Sequence, residues 1–168
     1  MNSELDGYGF FANGVLMNMS LLSSLLSGIA SGPPPAVGRV VPIVDPGDLL
    51  AARRAVREAA AGLGFRGAQT LRLVTAASEL ARNILDHAGR GIMRVRPVLC
   101  GGRSGLELEF EDQGPGIADL ERAMEEGFST RGGTGMGLPG ARHLLDEMSV
   151  SSPLGGGTMI RSRMWRRA

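Results

Sequence analysis

The chain of 168 residues contains no lysine; all 18 of its basic residues are arginine. Two large classes of phosphoryl-transfer machinery therefore fall away. A P-loop needs a lysine on the β- and γ-phosphates, and protein kinases of the common eukaryotic type need one on a strand. Cysteine is nearly missing too. Cys100 stands alone, so neither an internal disulfide nor a cysteine metal site can form, and a reducing, cytoplasmic setting is the expectation. Aromatic residues make up only 4% of the chain, which leaves the basic cluster Arg161, Arg163, Arg166 and Arg167 without a stacking platform for nucleic acid. A net charge of +1 exerts no pull toward nucleic acid or an anionic membrane. Glycine, by contrast, is abundant at 26 residues, which points to functional loops. The apolar share of 43% suffices for the core of one ordinary domain.

The N-terminal region reads differently from the rest. Phe10 to Ala30 carries no charge and is about long enough to cross a bilayer. Asn13, Asn18 and several Ser and Gly interrupt it, however, and Glu4 and Asp6 stand where a secretory signal would carry basic residues. A flexible extension is expected, or a start codon placed too early with Met17 or Met19 as the true start; a membrane role is disfavoured. "SGPPPAVG", Ser31 to Gly38, reads as an extended linker. The expected division is 1–36 as extension and linker and 37–168 as the folded domain.

Within that domain, "RVVPIV" (Arg39 to Val44) predicts a strand, with Pro42 suggesting a sheet edge. Asp45-Pro46 predicts a helix start, Asp45 capping and Pro46 in the first turn, and the helix runs to the glycines near Gly64. From Thr70 the set Leu71, Val74, Ala77, Ala81, Leu85 and Ala88 recurs at helical spacing, so a second helix ends near Gly89. "GIMRVRPVL" and "GLELEF" flank "CGGRSG" as a hairpin. "ADLERAMEEG" and "LPGARHLLDEM" (Leu138 to Met148) read as helices. "SVSS" and "TMIRSRMW" flank "PLGGG" as a second hairpin. The order is βααββ, a helix-containing loop, α, ββ: an α+β two-layer sandwich, its mixed sheet mostly antiparallel, with helices on one face.

Three motifs carry chemistry. Glu79 and Asn83 stand four apart on the second helix, away from the apolar stripe, and His87 extends the row. Asn offers Mg²⁺ a neutral oxygen, and a Glu one turn away can orient or deprotonate a hydroxyl; for His87 a plain helix-end residue is the better reading. Asp112 then closes the alternating strand "ELEFED" and enters Gln-Gly-Pro-Gly-Ile. A carboxylate at a strand end can accept from an exocyclic amine such as adenine N6, and Gly114 and Gly116 would let backbone approach a flat ring. A plain turn explains the same residues equally well. Third, "GFSTRGGTGMGLPGARHLL" leads glycines 132, 133, 135 and 137 into a helix whose free N–H groups suit phosphate. "GMGLPG" also fits the dinucleotide fingerprint, but no buried strand precedes it and nothing acidic follows Glu147.

Taken together, E-x-x-x-N on a helix, D-x-G-x-G after a strand, G-x-G-x-G into a helix and "GGGT" (Gly155 to Thr158) resemble the Bergerat-fold ATP-binding superfamily of gyrases, Hsp90-type chaperones, histidine kinases and MutL proteins. The resemblance covers about Arg39 to Trp165. "SELARN", "EDQGPGI", "GFSTRGGTGMGLPGARHLLDE" and "GGGT" are most similar to the small bacterial serine/threonine kinases that regulate anti-sigma factors, in the branch of the stressosome switch-protein kinase (RsbT-type). It implies that Asn83 holds Mg²⁺ and that Glu79 is the base toward a serine or threonine hydroxyl. Asp112 would bind adenine N6 with Thr158 supporting it, and Gly114, Gly116 and Ile117 would line the base pocket. Gly133, Thr134, Gly135, Met136, Gly137 and Leu138 would wrap the phosphates of ATP. Arg131 is a candidate for γ-phosphate charge stabilisation, with a solvated loop arginine the equal alternative.

The implied activity is phosphorylation of a STAS-domain antagonist protein, with a PP2C-type phosphatase as a second partner in a partner-switching pathway. Two other classes stay open: an anti-sigma factor that binds a sigma factor directly, and a separate histidine-kinase-like ATPase domain. The second of these needs a phospho-accepting helix pair, and nothing before Arg39 supplies one.

Overall fold

The computed structural model describes residues 11–12, 15–16, 38–125 and 137–167. The chain divides into two compact units, Met1–Pro34 and Pro35–Ala168. In the first, strands β1 (Phe11–Ala12) and β2 (Val15–Leu16) pair antiparallel. Most of the uncharged run from Phe10 to Ala30 lies outside the described residues. Among the described residues no helix is long and apolar enough to cross a membrane.

The second unit has the elements β3 (Arg39–Ile43), α1 (Asp48–Gly62), α2 (Ala68–His87), β4 (Gly91–Cys100), β5 (Arg103–Asp112), α3 (Leu120–Ala123), α4 (Gly137–Leu144), β6 (Glu147–Ser151) and β7 (Thr158–Trp165). The sheet order is β3-β4-β5-β7-β6, and all four pairings are antiparallel. Pro42 does lie on an edge strand, the place in a sheet where a residue without an N–H is tolerated. The α+β sandwich read from the sequence is the architecture found, with an entirely antiparallel sheet.

The core lies between the sheet and the helices. Val41, Ile43, Met93, Val95, Leu106, Leu108, Phe110, Ile160 and Met164 face inward from the strands, and meet Val56, Leu73, Leu80 and Ile84 of α1 and α2. Helix α2 turns inward the face that Val74, Ala77 and Ala81 mark in the apolar spacing, but not its first member. Leu71 is 67% exposed, and the buried row is Leu73, Val74, Ala76, Ala77, Leu80, Ala81 and Ile84. Small Ala residues let α2 pack closely against both α1 and the sheet, so the buried stripe is wider than one row.

Two helix boundaries also differ from the sequence reading. Helix α1 begins at Asp48, not at Pro46. Asp45 Oδ1 accepts from the Gly47 N–H at 2.7 Å, an Asx turn that delays the helix, while Asp48 Oδ2 catches the N–H groups of Val44 and Asp45. Helix α4 stops at Leu144, so Asp146, Glu147 and Met148 are not helical. Asp146 Oδ2 accepts from the Trp165 N–H at 2.8 Å, and Glu147 starts β6 opposite Arg163. Strand pairing captures these residues before the helix can continue.

The outer sheet face carries a cross-strand charge ladder. Arg96, Glu107, Arg163 and Glu147 form one row, and Arg94, Glu109 and Arg161 the next. Glu107 is wholly buried beneath Arg96 and Arg163; Arg163 Nε donates to it at 2.6 Å. Glu109 accepts from Arg94 at 2.9 Å and from Arg161 at 2.9 Å. Burial pushes the Glu109 carboxyl up, but the Arg161 hydrogen bond and the charges of Arg161, Arg94 and Arg96 outweigh it and hold it below the usual carboxylate value. The alternation in "ELEFED" thus separates a core face from a charged face, yet the arginines cover Glu107 and Glu109 almost as fully as the core covers Leu108.

Candidate active site

The site is built along α2. This helix is amphipathic over 20 residues and ends where Gly89 adopts φ +77°, with the N–H groups of Ala88 and Gly89 both donating to the Ile84 carbonyl. Its last turn reaches the loop after β5. A Cβ on Gly114 would lie 2.7 Å from the Ala88 Cβ, so only glycine lets that loop sit against the helix end. One and a half turns back, Asn83 lies against the first residue of α4, since a Cβ on Gly137 would lie 3.1 Å from Asn83 Oδ1. Glu79 is one turn further. Along the helix axis these stations are spaced by about 7.5 Å from Ala88 to Asn83 and about 6 Å from Asn83 to Glu79.

Asp112 is fixed rather than free to swing. Its Oδ1 accepts from the Gly114 N–H at 2.8 Å and from the Thr158 N–H at 3.2 Å. With Oδ1 holding two backbone donors, Oδ2 is the oxygen positioned to receive a donor from a ligand. Asp112 and Thr158 are partners in the last pair of the β5–β7 ladder. The strand β5 thus ends on an aspartate whose carboxylate closes this corner.

The corner continues beyond the sheet as two zipped loops. Gly155 N–H donates to the Pro115 carbonyl at 2.8 Å and Gly157 N–H to the Gly114 carbonyl at 3.1 Å. The Ile117 N–H donates to Ser152 Oγ at 2.8 Å, and Ser152 Oγ lies 2.8 Å from Thr158 Oγ1. Gly116 and Gly157 have φ of +74° and +75°. A Cβ on Gly116 would overlap the Pro153 carbonyl oxygen, and one on Gly157 would overlap that of Asp112. The sequence reading had Gly114 and Gly116 leaving room for a flat ring; among the protein's own atoms, their missing side chains make room for Ala88 and Pro153.

Of the residues singled out from the sequence, Glu79, Asn83, Asp112, Gly114, Gly116, Ile117, Gly137, Leu138 and Thr158 fall in the described part, on α2, at the facing ends of β5 and β7, in the two zipped loops or at the start of α4. Arg131, Gly133, Thr134, Gly135 and Met136 lie outside the described residues. His87 is exposed in the last turn of α2, in keeping with a plain helix-end role. Ser152 and Gly157 were missed. Gly157 belonged to the "GGGT" turn but gave no sign of which glycine was obligatory, and a serine before Pro153 looks like any turn residue. Among the described residues no group of three His, Cys, Asp or Glu could hold a metal ion. A metal here would rest on the Asn83 amide oxygen together with oxygens of a bound phosphate, the ligand set Mg²⁺ favours.

Residues 68–167 match the family described as histidine kinase-, DNA gyrase B- and HSP90-like ATPase. The chain is 48% identical over 120 residues to the serine/threonine-protein kinase RsbT of Bacillus subtilis (strain 168), covering 71% of this chain and 90% of that one. It is 34% identical over 93 residues to an anti-sigma F factor of Thermoanaerobacter sp. (strain X514), covering 52% and 64%. In fold it is similar to a crystal structure of the RsbU and RsbW domains of Rv1364c from Mycobacterium tuberculosis, with a TM-score of 0.56 at 18% identity over 82% of this chain and 34% of that one. The chain belongs to the histidine kinase-, DNA gyrase B- and HSP90-like ATPase family, and within it to the branch of the RsbT serine/threonine-protein kinase.

Proposed function

We propose that this protein kinase transfers the γ-phosphoryl group of ATP to a serine or threonine of a STAS-domain protein in a bacterial partner-switching pathway. The observation that carries the site assignment is the order of stations along α2. Gly114, whose N–H holds Asp112, meets the helix at Ala88, Asn83 follows at the start of α4, and Glu79 comes last. An adenine at Asp112, phosphates at Asn83 and an acceptor hydroxyl at Glu79 occupy that order in one direction.

In this arrangement Asp112 Oδ2 accepts from the adenine N6 amine, since Oδ1 is committed to Gly114 and Thr158. Mg²⁺, when bound to Asn83, neutralises developing charge on the phosphates. The N–H groups of Gly137 and Leu138, which open α4 next to Asn83, would add partial positive charge there. Glu79 orients the incoming hydroxyl and takes its proton as the oxygen attacks. The oxygen–phosphorus bond to the acceptor forms as the bond to the leaving ADP oxygen breaks. Positioning and charge stabilisation supply most of the rate in such a transfer, so the lack of lysine is no obstacle. Arg131 is the proposed source of positive charge at the γ-phosphate, and Gly133, Thr134, Gly135, Met136, Gly137 and Leu138 are the proposed wrap of the phosphates.

The partners follow the same reading: a STAS-domain substrate, and a PP2C-type phosphatase bound by the kinase itself. The anti-sigma F factor relatives keep direct sigma-factor binding as the second reading. Labelled ATP and Mg²⁺, supplied with the purified chain and STAS-domain proteins of the same genome, separate the two. Label on a STAS serine or threonine is expected, lost in Glu79→Ala while ATP binding persists. ATP binding with no transfer to any of them, together with capture of a sigma factor, would favour the second reading.

A further inference from the structure

We propose that Ser152 is a positioning residue that sets the hydrogen-bond polarity of Thr158 and so makes the site select a 6-amino purine over a 6-oxo purine. The proposal rests on the reading of Asp112 and Thr158 as the purine station. It adds a residue that none of the sequence motifs singled out.

The inference comes from counting protons. Ser152 Oγ has three neighbours: the Ile117 N–H at 2.8 Å, the Gly157 carbonyl at 3.2 Å and Thr158 Oγ1 at 2.8 Å. A serine hydroxyl has one proton and two lone pairs. The Ile117 N–H can only donate, so it takes one lone pair. The Gly157 carbonyl can only accept, so it takes the proton. With the proton committed to Gly157, the remaining lone pair faces Thr158, and the proposed polarity has the Thr158 hydroxyl donate to it. Thr158 spends its only proton inward and presents lone pairs alone to anything else it meets.

That has a consequence next door. The Thr158 N–H already binds Asp112 Oδ1, so its hydroxyl and the Asp112 carboxylate belong to one corner. An ionised carboxylate only accepts. With Thr158 polarised by Ser152, both side chains of the corner are acceptors. An exocyclic amine suits such a corner, directly or through a water that donates to Thr158. A 6-oxo group brings another acceptor against it and leaves polar groups unpaired, which is how polar sites reject near-isosteres. Without Ser152 the Thr158 hydroxyl is free to rotate and donate.

The test measures ADP and IDP binding to the full-length protein, by calorimetry, for wild type, Ser152→Ala, Ser152→Thr and Thr158→Val. Wild type is expected to prefer ADP strongly. Ser152→Ala is expected to lose ADP affinity while IDP affinity holds or rises, so that the ADP-to-IDP preference drops by about tenfold, the effect of one hydrogen bond changing sides. Ser152→Thr keeps a hydroxyl and should restore the preference. Loss of affinity for both nucleotides by the same factor would overturn the proposal, because it would mark Ser152 as loop support only. Should Ser152→Ala fail to fold, Thr158→Val removes the same polarised hydroxyl while leaving Ser152 in place; a preference unchanged in that variant also overturns it. Wild-type protein that binds neither nucleotide would overturn the purine station itself, and the role of Ser152 with it.

Discussion

Gly155 and Gly157 sit two residues apart in one turn, both left-handed, with φ of +70° and +75°. Their surroundings are opposite. A Cβ on Gly155 meets nothing within 4 Å, whereas one on Gly157 overlaps the Asp112 carbonyl oxygen and comes 3.0 Å from the Gln113 Cα. Gly155→Ala therefore isolates the backbone cost of placing an L-residue in the left-handed region, about 1–2 kcal/mol. Gly157→Ala incurs the same cost and must also push apart the ends of β5 and β7, and such overpacking adds about 1–3 kcal/mol. At about 2–4 °C per kcal/mol for a chain of this size, Gly157→Ala should melt about 2–12 °C below Gly155→Ala. The displaced atoms belong to Asp112 and its neighbour, so nucleotide affinity should fall in Gly157→Ala and hold in Gly155→Ala. Thermal denaturation with and without ADP, followed by circular dichroism, reads both effects. Equal melting temperatures with equal ADP stabilisation would refute the closed junction between the two loops.

Three further outcomes are expected. Asp112→Asn keeps an oxygen for the Gly114 and Thr158 N–H groups but turns an amide donor toward adenine N6, so ADP affinity should drop by roughly a hundredfold with the melting temperature of the free protein little changed; calorimetry on the variant checks this, and retained affinity would argue against Asp112 as the adenine contact. Asn83→Ala should weaken the Mg²⁺ dependence of nucleotide binding more than His87→Ala does, read by titrating Mg²⁺ at fixed ADP. Glu109→Gln probes the charge ladder. Because the folded carboxyl is held below its usual 4.5, its stabilisation is present above that pH and lost as the pH falls through the folded value. Wild type should therefore out-melt the variant at pH 7, with the two curves converging below about pH 4.5; curves that stay parallel would mean that Glu109 adds no pH-linked stability.

Much of this was legible in the sequence, for physical reasons that differ from element to element. The alternation of Leu106, Leu108 and Phe110 with Glu107, Glu109 and Glu111 fixed both the strand and its inner face. The loop glycines and Asp112 marked the turn after it. Burial on the other face was not legible, because it depends on Arg94, Arg96, Arg161 and Arg163 arriving from two other strands. The face of α2 was misread by its first member: Leu71 is apolar but lies in the first turn, outside the packed row. The end of α4 was overrun because Asp146 and Glu147 suit a helix locally and are claimed instead by Trp165, through its backbone N–H and its indole N–H. Ser152 was invisible for a similar reason. Its significance lies in three partners from two loops, and no local pattern encodes a partner 35 residues away.

The account centres on one nucleotide lying along α2, with its purine at Asp112 and its phosphates at Asn83. A crystal structure with a non-hydrolysable ATP analogue and Mg²⁺ bound tests this most directly. The expected result places adenine N6 within hydrogen-bond distance of Asp112 Oδ2, the metal on Asn83 Oδ1 and the γ-phosphate toward Glu79. A nucleotide bound elsewhere, or lying along α2 in the reverse direction, would contradict it.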